Sequence, residues 1–183
     1  ELWNFRNRSY RKTWLRVSKI ELLLVSLIKK WQIYKKAYSL LSKRDYSVAV
    51  IRKKLLDFAY NDSCHDFYEI IIDDIIEDLK EKNWLSDERV VFTYLNSKGN
   101  LYGEKRIWFE LKKIGIDDQV IEKILQTFEF CDYEKAKMIL SKKFKGQPTS
   151  MKEKVKRRDY LIRRGFSCGI SNRLVLHDNH VEN

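Results

Sequence analysis

The chain has 183 residues, of which 44% are apolar and 34% are charged, and its formal net charge is +11. Six glycines and one proline are too few for a strand-rich, turn-rich fold, so the composition favours a mostly helical protein. The cysteines Cys64, Cys131 and Cys168 form no CxxC motif and have no histidine pattern nearby. This excludes a disulfide framework and a zinc site, and we expect reduced thiols and no metal or other cofactor.

The most apolar run, residues 20–28, is interrupted by Glu21 and is far shorter than the roughly 20 residues of a membrane span. The first residues contain Arg6 and Arg8 without an apolar signal core, so we expect no secretory signal. A soluble, cytoplasmic protein without a membrane partner is the prediction.

Charge is unevenly distributed along the chain. Residues 57–88 contain eleven acids and two lysines, a net −9, whereas the remainder carries +20. Such segregation indicates an anionic partner, either nucleic acid or a protein assembly around nucleic acid. A charged surface that only keeps the protein soluble accounts for the density of charge but less well for its separation.

In chain order, residues 1–17 mix aromatic residues with arginines and show no sustained period. The capping box Ser18-Lys19-Ile20-Glu21 then predicts a helix that runs to about Lys30. Residues 31–43 continue with apolar residues at helical spacing and are predicted to form the first helix of a repeat.

A short phrase occurs three times, in which a leucine is followed four positions later by a small residue and then by a large apolar one. The copies are Leu55-Ala59-Tyr60, Leu111-Gly115-Ile116 and Leu161-Gly165-Phe166. Such an ending is typical of a helix C-terminus, and its recurrence predicts tandem supersecondary units with buried, equivalent leucines.

Each of these helices has its own start signal, at Ser47, Gly103 and the capping box Ser150-Met151-Lys152-Glu153. The start lies eight, eight and eleven residues before the repeat leucine, so the third helix should be about one turn longer. Third helices are predicted at 67–79, after Asp117 and at 167–176, and first helices at 90–97 and 131–144.

The predicted fold is all-α, a curved tandem array of three three-helix repeats with a short N-terminal extension. The expected boundaries are 1–36 for the extension (helical at about 19–30), 37–85, 86–130 and 131–176 for the repeats, and 177–183 for a disordered tail.

The sequences LSDER at 85–89 and YGEKRIWFELKKIGI at 102–116 resemble the middle repeat of the RecX family, the regulators of the RecA recombinase. AYSLLSKRDYS at 37–47 and LIRRGFS at 161–167 resemble its first-repeat opening and its last-repeat signature. Ile114 stands where the family usually has Lys, the N-terminal β-like segment is shortened, and residues 61–66 are an apparent insertion.

The resemblance implies an array that sits in the groove of the RecA–single-stranded-DNA filament. The single-stranded DNA within that filament is a second candidate partner. The resemblance also implies a regulator without catalytic residues that bridges neighbouring protomers, limits filament growth and damps RecA's ATPase, strand-exchange and co-protease activities. We expect inhibition, by a monomer. A stand-alone basic helical module that binds nucleic acid is the alternative. An enzyme is disfavoured, because no carboxylate cluster, activated nucleophile or phosphate-cradling glycine loop is present.

The candidate partner-binding residues are cations on or beside the second helix of each repeat, which together would form a basic stripe. They are Arg44, Arg52, Lys53, Lys54, Lys105, Arg106, Lys112, Lys113, Arg157, Arg158, Arg163 and Arg164.

The large aromatic residues Trp31, Tyr34, Trp84, Trp108 and Phe109 are expected in the core, since stacking on bases would require them to be exposed beside the stripe. Glu110 is predicted to pair with Lys113 along the helix.

Overall fold

The computed structural model describes residues 19–59, 65–127 and 131–177, which form nine α-helices and one π-helical turn and contain no strand. The helices are α1 Lys19–Leu41, α2 Val48–Ala59, α3 His65–Glu81, α4 Asp87–Lys98, α5 Glu104–Lys113, α6 Asp118–Thr127, α7 Asp132–Lys143, α8 Met151–Arg163 and α9 Cys168–Asn172, followed by the π-helical turn Arg173–His177. No helix in these ranges is long and apolar enough to cross a membrane.

The predicted all-α array of three-helix repeats is confirmed. Repeat 1 consists of α1–α3, repeat 2 of α4–α6 and repeat 3 of α7–α9 with the π-helical turn. The exact boundaries between the units stay predictions. The expectations for residues 1–18, for most of the insertion at 61–66 and for 178–183 fall outside the described residues.

Helix α1 differs from its prediction, because it runs unbroken from Lys19 to Leu41 where two segments meeting near Lys30 were expected. No glycine or proline interrupts this stretch, and lysine is a good helix former. Ile33 and Ala37 are both buried in the first core, so one side of the same helix packs into repeat 1.

Each repeat has its own hydrophobic cluster, and a repeat leucine lies in each. Leu55, Leu111 and Leu161 are all 0% exposed, which confirms that they are buried equivalents. The cluster of repeat 3 is the smallest and has four buried members, Ala136, Ile139, Leu161 and Phe166.

The second helices end where the repeated phrase predicts. Gly115 and Gly165 have φ angles of +77° and +89°, a left-handed conformation that glycine adopts without steric cost. The amide of Ile116 donates to the Leu111 carbonyl at 3.3 Å, and that of Phe166 donates to the Leu161 carbonyl at 3.2 Å. These are the bonds of a Schellman cap. The corresponding second helix of repeat 1, α2, ends at Ala59 itself.

Adjacent repeats meet in the same way at both junctions. An aspartate that opens the first helix of one repeat accepts a hydrogen bond from the first amide of the preceding repeat's second helix. Asp87 accepts from the Val48 amide at 2.9 Å, and Asp132 accepts from the Glu104 amide. Burial raises the pKa of both carboxyl groups, which is the main effect on each.

The capped glycine of the following repeat lies against that same helix start. A Cβ on Gly115 would overlap the Ala49 side chain, and a Cβ on Gly165 would overlap the backbone nitrogen of Arg106. The Gly103 amide also donates to the Arg164 carbonyl at 2.9 Å. The glycines therefore serve twice, in ending a helix and in allowing close approach between repeats.

The LSDER segment is part of the first junction. Besides the cap provided by Asp87, the guanidinium of Arg89 donates to Asp45 at 2.7 Å and to the carbonyls of Asn83 and Trp84 at 2.9 Å. Arg89 thus links the turn before α2 and the turn before α4 through these hydrogen bonds. Asp87 and Arg89 of this motif therefore connect repeat 2 to repeat 1.

Candidate partner-binding surface

The cations of repeat 1 are largely engaged within the repeat. Arg52 donates to both carboxylate oxygens of Asp73, at 2.9 and 3.2 Å. Arg44 and Lys54 lie over the Tyr46 ring at 4.5 and 5.8 Å from its centroid. Hydrogen bonding to Arg44 lowers the pKa of the Tyr46 hydroxyl.

In repeat 2, two of the four predicted cations are paired. Arg106 pairs with Glu110 at 2.6 Å, so the predicted Glu110–Lys113 pair is wrong, and Lys112 pairs with Asp118 at 2.5 Å. Lys105 and Lys113 are exposed and form no ion pair with any residue that the structure describes.

The prediction that Arg157 belongs to the basic stripe is wrong, because its side chain is buried and only 7% exposed. It lies four residues before Leu161, on the same side of α8, and therefore points toward the core. Its guanidinium donates to Glu153 at 2.6 Å and to the Gly146 carbonyl at 2.8 Å, and it lies over the Phe144 ring. The bond from Arg157 is the main reason that the pKa of Glu153 is lowered.

The remaining cations of α8 divide between structural and exposed positions. Arg158 pairs with Asp159 at 2.9 Å. Arg164 donates to the Leu101 carbonyl at 2.9 Å and lies over the Tyr102 ring of repeat 2, so it belongs to the second junction. Across the described ranges, the exposed stripe cations without an ion pair are Arg44, Lys53, Lys105, Lys113 and Arg163.

The expectation that the large aromatic residues lie in the core is wrong for four of the five. Trp31, Trp84, Trp108 and Phe109 are 37–64% exposed, and only Tyr34 is partly buried, where its hydroxyl contacts Asp78.

The exposure of the α5 aromatics follows from its helical geometry. Ile107 and Leu111 lie four residues apart and define the buried side, so the two positions after Ile107 face elsewhere. Lys112 Nζ lies 4.7 Å from the centroid of the Trp108 ring, and Phe109 is 57% exposed. Helix α5 thus presents an exposed surface of aromatic and basic side chains, the α5 face. Its members are Lys105, Trp108, Phe109, Lys112 and Lys113.

A second group of cations was missed in the sequence. It lies at the end of α7, in the following loop and at the start of α8, and we call it the lysine cluster. Its members are Lys142, Lys143, Lys145, Lys152, Lys154 and Lys156. Net charge by repeat would have revealed it, because residues 131–176 carry +9 and residues 86–130 carry −1.

No group of three or more histidine, cysteine, aspartate or glutamate residues in the described ranges could hold a metal ion. The surfaces that stand out are the α5 face, whose members are all exposed, and the lysine cluster, in which five lysines are exposed and Lys154 is half-buried. A tandem array of small helical units with exposed basic and aromatic side chains is the architecture of a helical-repeat binding protein.

Comparison with known proteins identifies the family within this class. The family model for the RecX third three-helix domain matches residues 131–175. The regulatory protein RecX of Yersinia enterocolitica is 32% identical over 147 residues, covering 72% of this chain and 88% of that protein. The RecX of Haemophilus influenzae strain Rd is 34% identical over 132 residues, covering 70% and 82%. The chain belongs to the RecX family.

Two crystal structures have the same fold. The structure of a regulatory protein RecX aligns with a TM-score of 0.68 at 20% identity, over 87% of this chain and 78% of that one. RecX from Lactobacillus salivarius aligns with a TM-score of 0.63 at 23% identity, over 81% and 96%.

Proposed function

We propose that this protein is a non-enzymatic regulator that binds the RecA filament on single-stranded DNA and inhibits its ATPase, strand-exchange and co-protease activities. Its relatives are named regulatory proteins, and the family is the first support for this proposal. We expect it to act as a monomer in the cytoplasm. The helical array supports a binding role, since successive repeats present successive contact surfaces to a helical partner.

The observation that carries the proposal in this chain is the α5 face. Exposed aromatic residues next to cations are characteristic of the energetically dominant positions of protein interfaces. Trp108 and Phe109 are held on a rigid helix of the central repeat, so they can insert into a partner without a large loss of side-chain entropy. The neighbouring Lys105 and Lys113 keep their charge available for an acidic surface.

The test is the single-stranded-DNA-dependent ATPase of RecA with substoichiometric amounts of this protein. We expect the wild type to suppress the ATPase and the combined variant Lys105→Glu/Trp108→Ala/Phe109→Ala/Lys113→Glu to lose that suppression. Arg106 and Lys112 are left intact, because each has an internal ion pair and Arg106 lies against Gly165.

The matched control changes two lysines and two exposed apolar residues elsewhere, Lys98→Glu/Phe92→Ala/Ile70→Ala/Lys137→Glu. These four side chains are all exposed and lie outside the α5 face. Suppression should survive in this control. Full suppression by a folded α5-face variant would place the interface elsewhere, and a wild type without effect on the ATPase would overturn the proposal.

A further inference from the structure

The lysine cluster is a concentrated and largely uncompensated positive charge. Six lysines lie between residues 142 and 156, and the same stretch contains one acid, Glu153. That carboxylate is already occupied by Arg157 at 2.6 Å and by the Thr149 amide at 3.1 Å. Within the described part of the chain, none of the six lysines forms an ion pair. Their charge is therefore available to a partner.

The cluster includes the start of helix α8, which no capped helix end covers among the described residues. In repeats 1 and 2, the start of the second helix is covered by the glycine-capped helix end of the next repeat. In repeat 3, helix α8 starts ten residues before its leucine, whereas α2 and α5 start seven residues before theirs, a difference of about one turn. Met151 in this additional turn is 65% exposed, and Lys152 is exposed beside it. The additional turn extends the lysine-bearing surface where the other repeats have a junction.

The side-chain chemistry of the cluster distinguishes it from the α5 face. Lysine is depleted at the centre of protein–protein interfaces, where arginine and aromatic residues are enriched. Ammonium groups on flexible stems act as point charges that neutralise phosphates without reading a base sequence. The N-terminus of α8, capped by the Ser150 hydroxyl that accepts from the Glu153 amide, adds a favourable dipole for an anion at the same end.

We propose that the lysine cluster binds the phosphate backbone of nucleic acid, without sequence preference. This contact is separate from the α5 face and requires no RecA, so it goes beyond the regulatory function and stands or falls independently of it. Each lysine that pairs with a phosphate releases counterions, so binding should weaken steeply as salt rises.

The test is fluorescence anisotropy of a labelled single-stranded oligothymidylate with the full chain, without RecA, between 50 and 200 mM salt. If the six lysines each neutralise one phosphate, the cluster contributes a slope of about −4 to log K against log salt, from roughly −0.7 per phosphate on single strands. The variant Lys142→Gln/Lys143→Gln/Lys145→Gln/Lys152→Gln should flatten the measured slope by about 3. Glutamine retains helix propensity, and circular dichroism verifies the fold.

The control neutralises four exposed lysines outside the stripe and the α5 face, as Lys35→Gln/Lys43→Gln/Lys98→Gln/Lys137→Gln, with the same change in net charge. Its slope should stay within about 1 of the wild type, because only local phosphate contacts set the slope. If the slope of log K against log salt flattens equally in both variants, the binding depends on overall net charge and not on the cluster, and the proposal is overturned. A cluster variant that binds the oligonucleotide like the wild type but loses binding to RecA would also overturn it, because the cluster would then be a protein-binding surface.

Discussion

Repeats 2 and 3 share an interior and differ in their exteriors. Both bury a leucine that is 0% exposed and end their second helix with a left-handed glycine. On the outside, repeat 2 exposes Trp108 and Phe109 among partly paired charges, whereas repeat 3 exposes a lysine cluster and buries Arg157. Helix packing requires the buried leucine and the capping glycine in each repeat. The exposed positions between them are not constrained by packing and can bind different partners.

The largest expected effect tests the shared interior. Leu111→Ala and Leu161→Ala should each lower the free energy of unfolding by about 2–5 kcal/mol, the range for emptying a core leucine site. The cost should be greater for Leu111, because the smaller cluster around Leu161 can collapse more easily into the space. Urea unfolding measures both values. Losses below about 1 kcal/mol at both sites would mean that the repeated phrase is not a core element.

The two junction glycines allow a finer comparison. Gly115→Ala and Gly165→Ala should each cost about 2–4 kcal/mol, from a left-handed alanine and from overlap with the preceding repeat. Adding Ala49→Gly should recover part of the loss at Gly115, because the overlap there is with a side chain.

The matched double variant Gly165→Ala/Arg106→Gly should show no such recovery, since the overlap at Gly165 includes backbone nitrogen. Thermal unfolding of the four variants decides this. Recovery at both junctions, or at neither, would contradict the geometry described for them.

The smallest expected effect concerns the aspartate of the first junction. Asp87→Ala removes the cap on the Val48 amide and should cost about 1 kcal/mol, whereas Asp87→Asn keeps an acceptor and should change stability by less than about 0.5 kcal/mol at pH 7.

The pH dependence of these variants has a definite sign. The folded-state pKa of Asp87 is raised above the usual 3.8, so the folded protein takes up this proton before the unfolded chain does. The wild type therefore gains stability from this group as pH falls from neutral through the raised pKa, and the gain is complete below 3.8. The difference in free energy of unfolding between Asp87→Asn and the wild type, measured by urea unfolding, should therefore move in favour of the wild type as pH falls through the raised pKa. An advantage of Asp87→Asn that grows as the medium is acidified would show that the carboxylate is stabilised rather than destabilised by its surroundings.

The fold was predictable because its signals are local. The caps at Ser150 and Gly165 and the spacing of the leucines act within single helices, and the structure retains them. The continuous helix α1 was not predicted, since the change in composition near Lys30 resembled a boundary that the backbone does not have.

The binding surface was less predictable, because it depends on which side of a helix each residue occupies. Arg157 is four residues from a buried leucine, and this spacing could have excluded it from the stripe. Trp108 and Phe109 were assigned to the core from their residue type, although their positions relative to Ile107 put them outside. The pairing of Arg106 with Glu110 depends on side-chain geometry that spacing alone leaves open.

The central claim is that the α5 face recognises the protein and the lysine cluster contacts phosphate. One experiment assays the α5-face variant and the lysine-cluster variant side by side, for suppression of the RecA ATPase and for the salt slope of oligonucleotide binding. The account predicts that the α5-face variant loses suppression and keeps most of the slope, while the cluster variant flattens the slope by about 3 and retains suppression at low salt. Equal losses by both folded variants in both assays would contradict it.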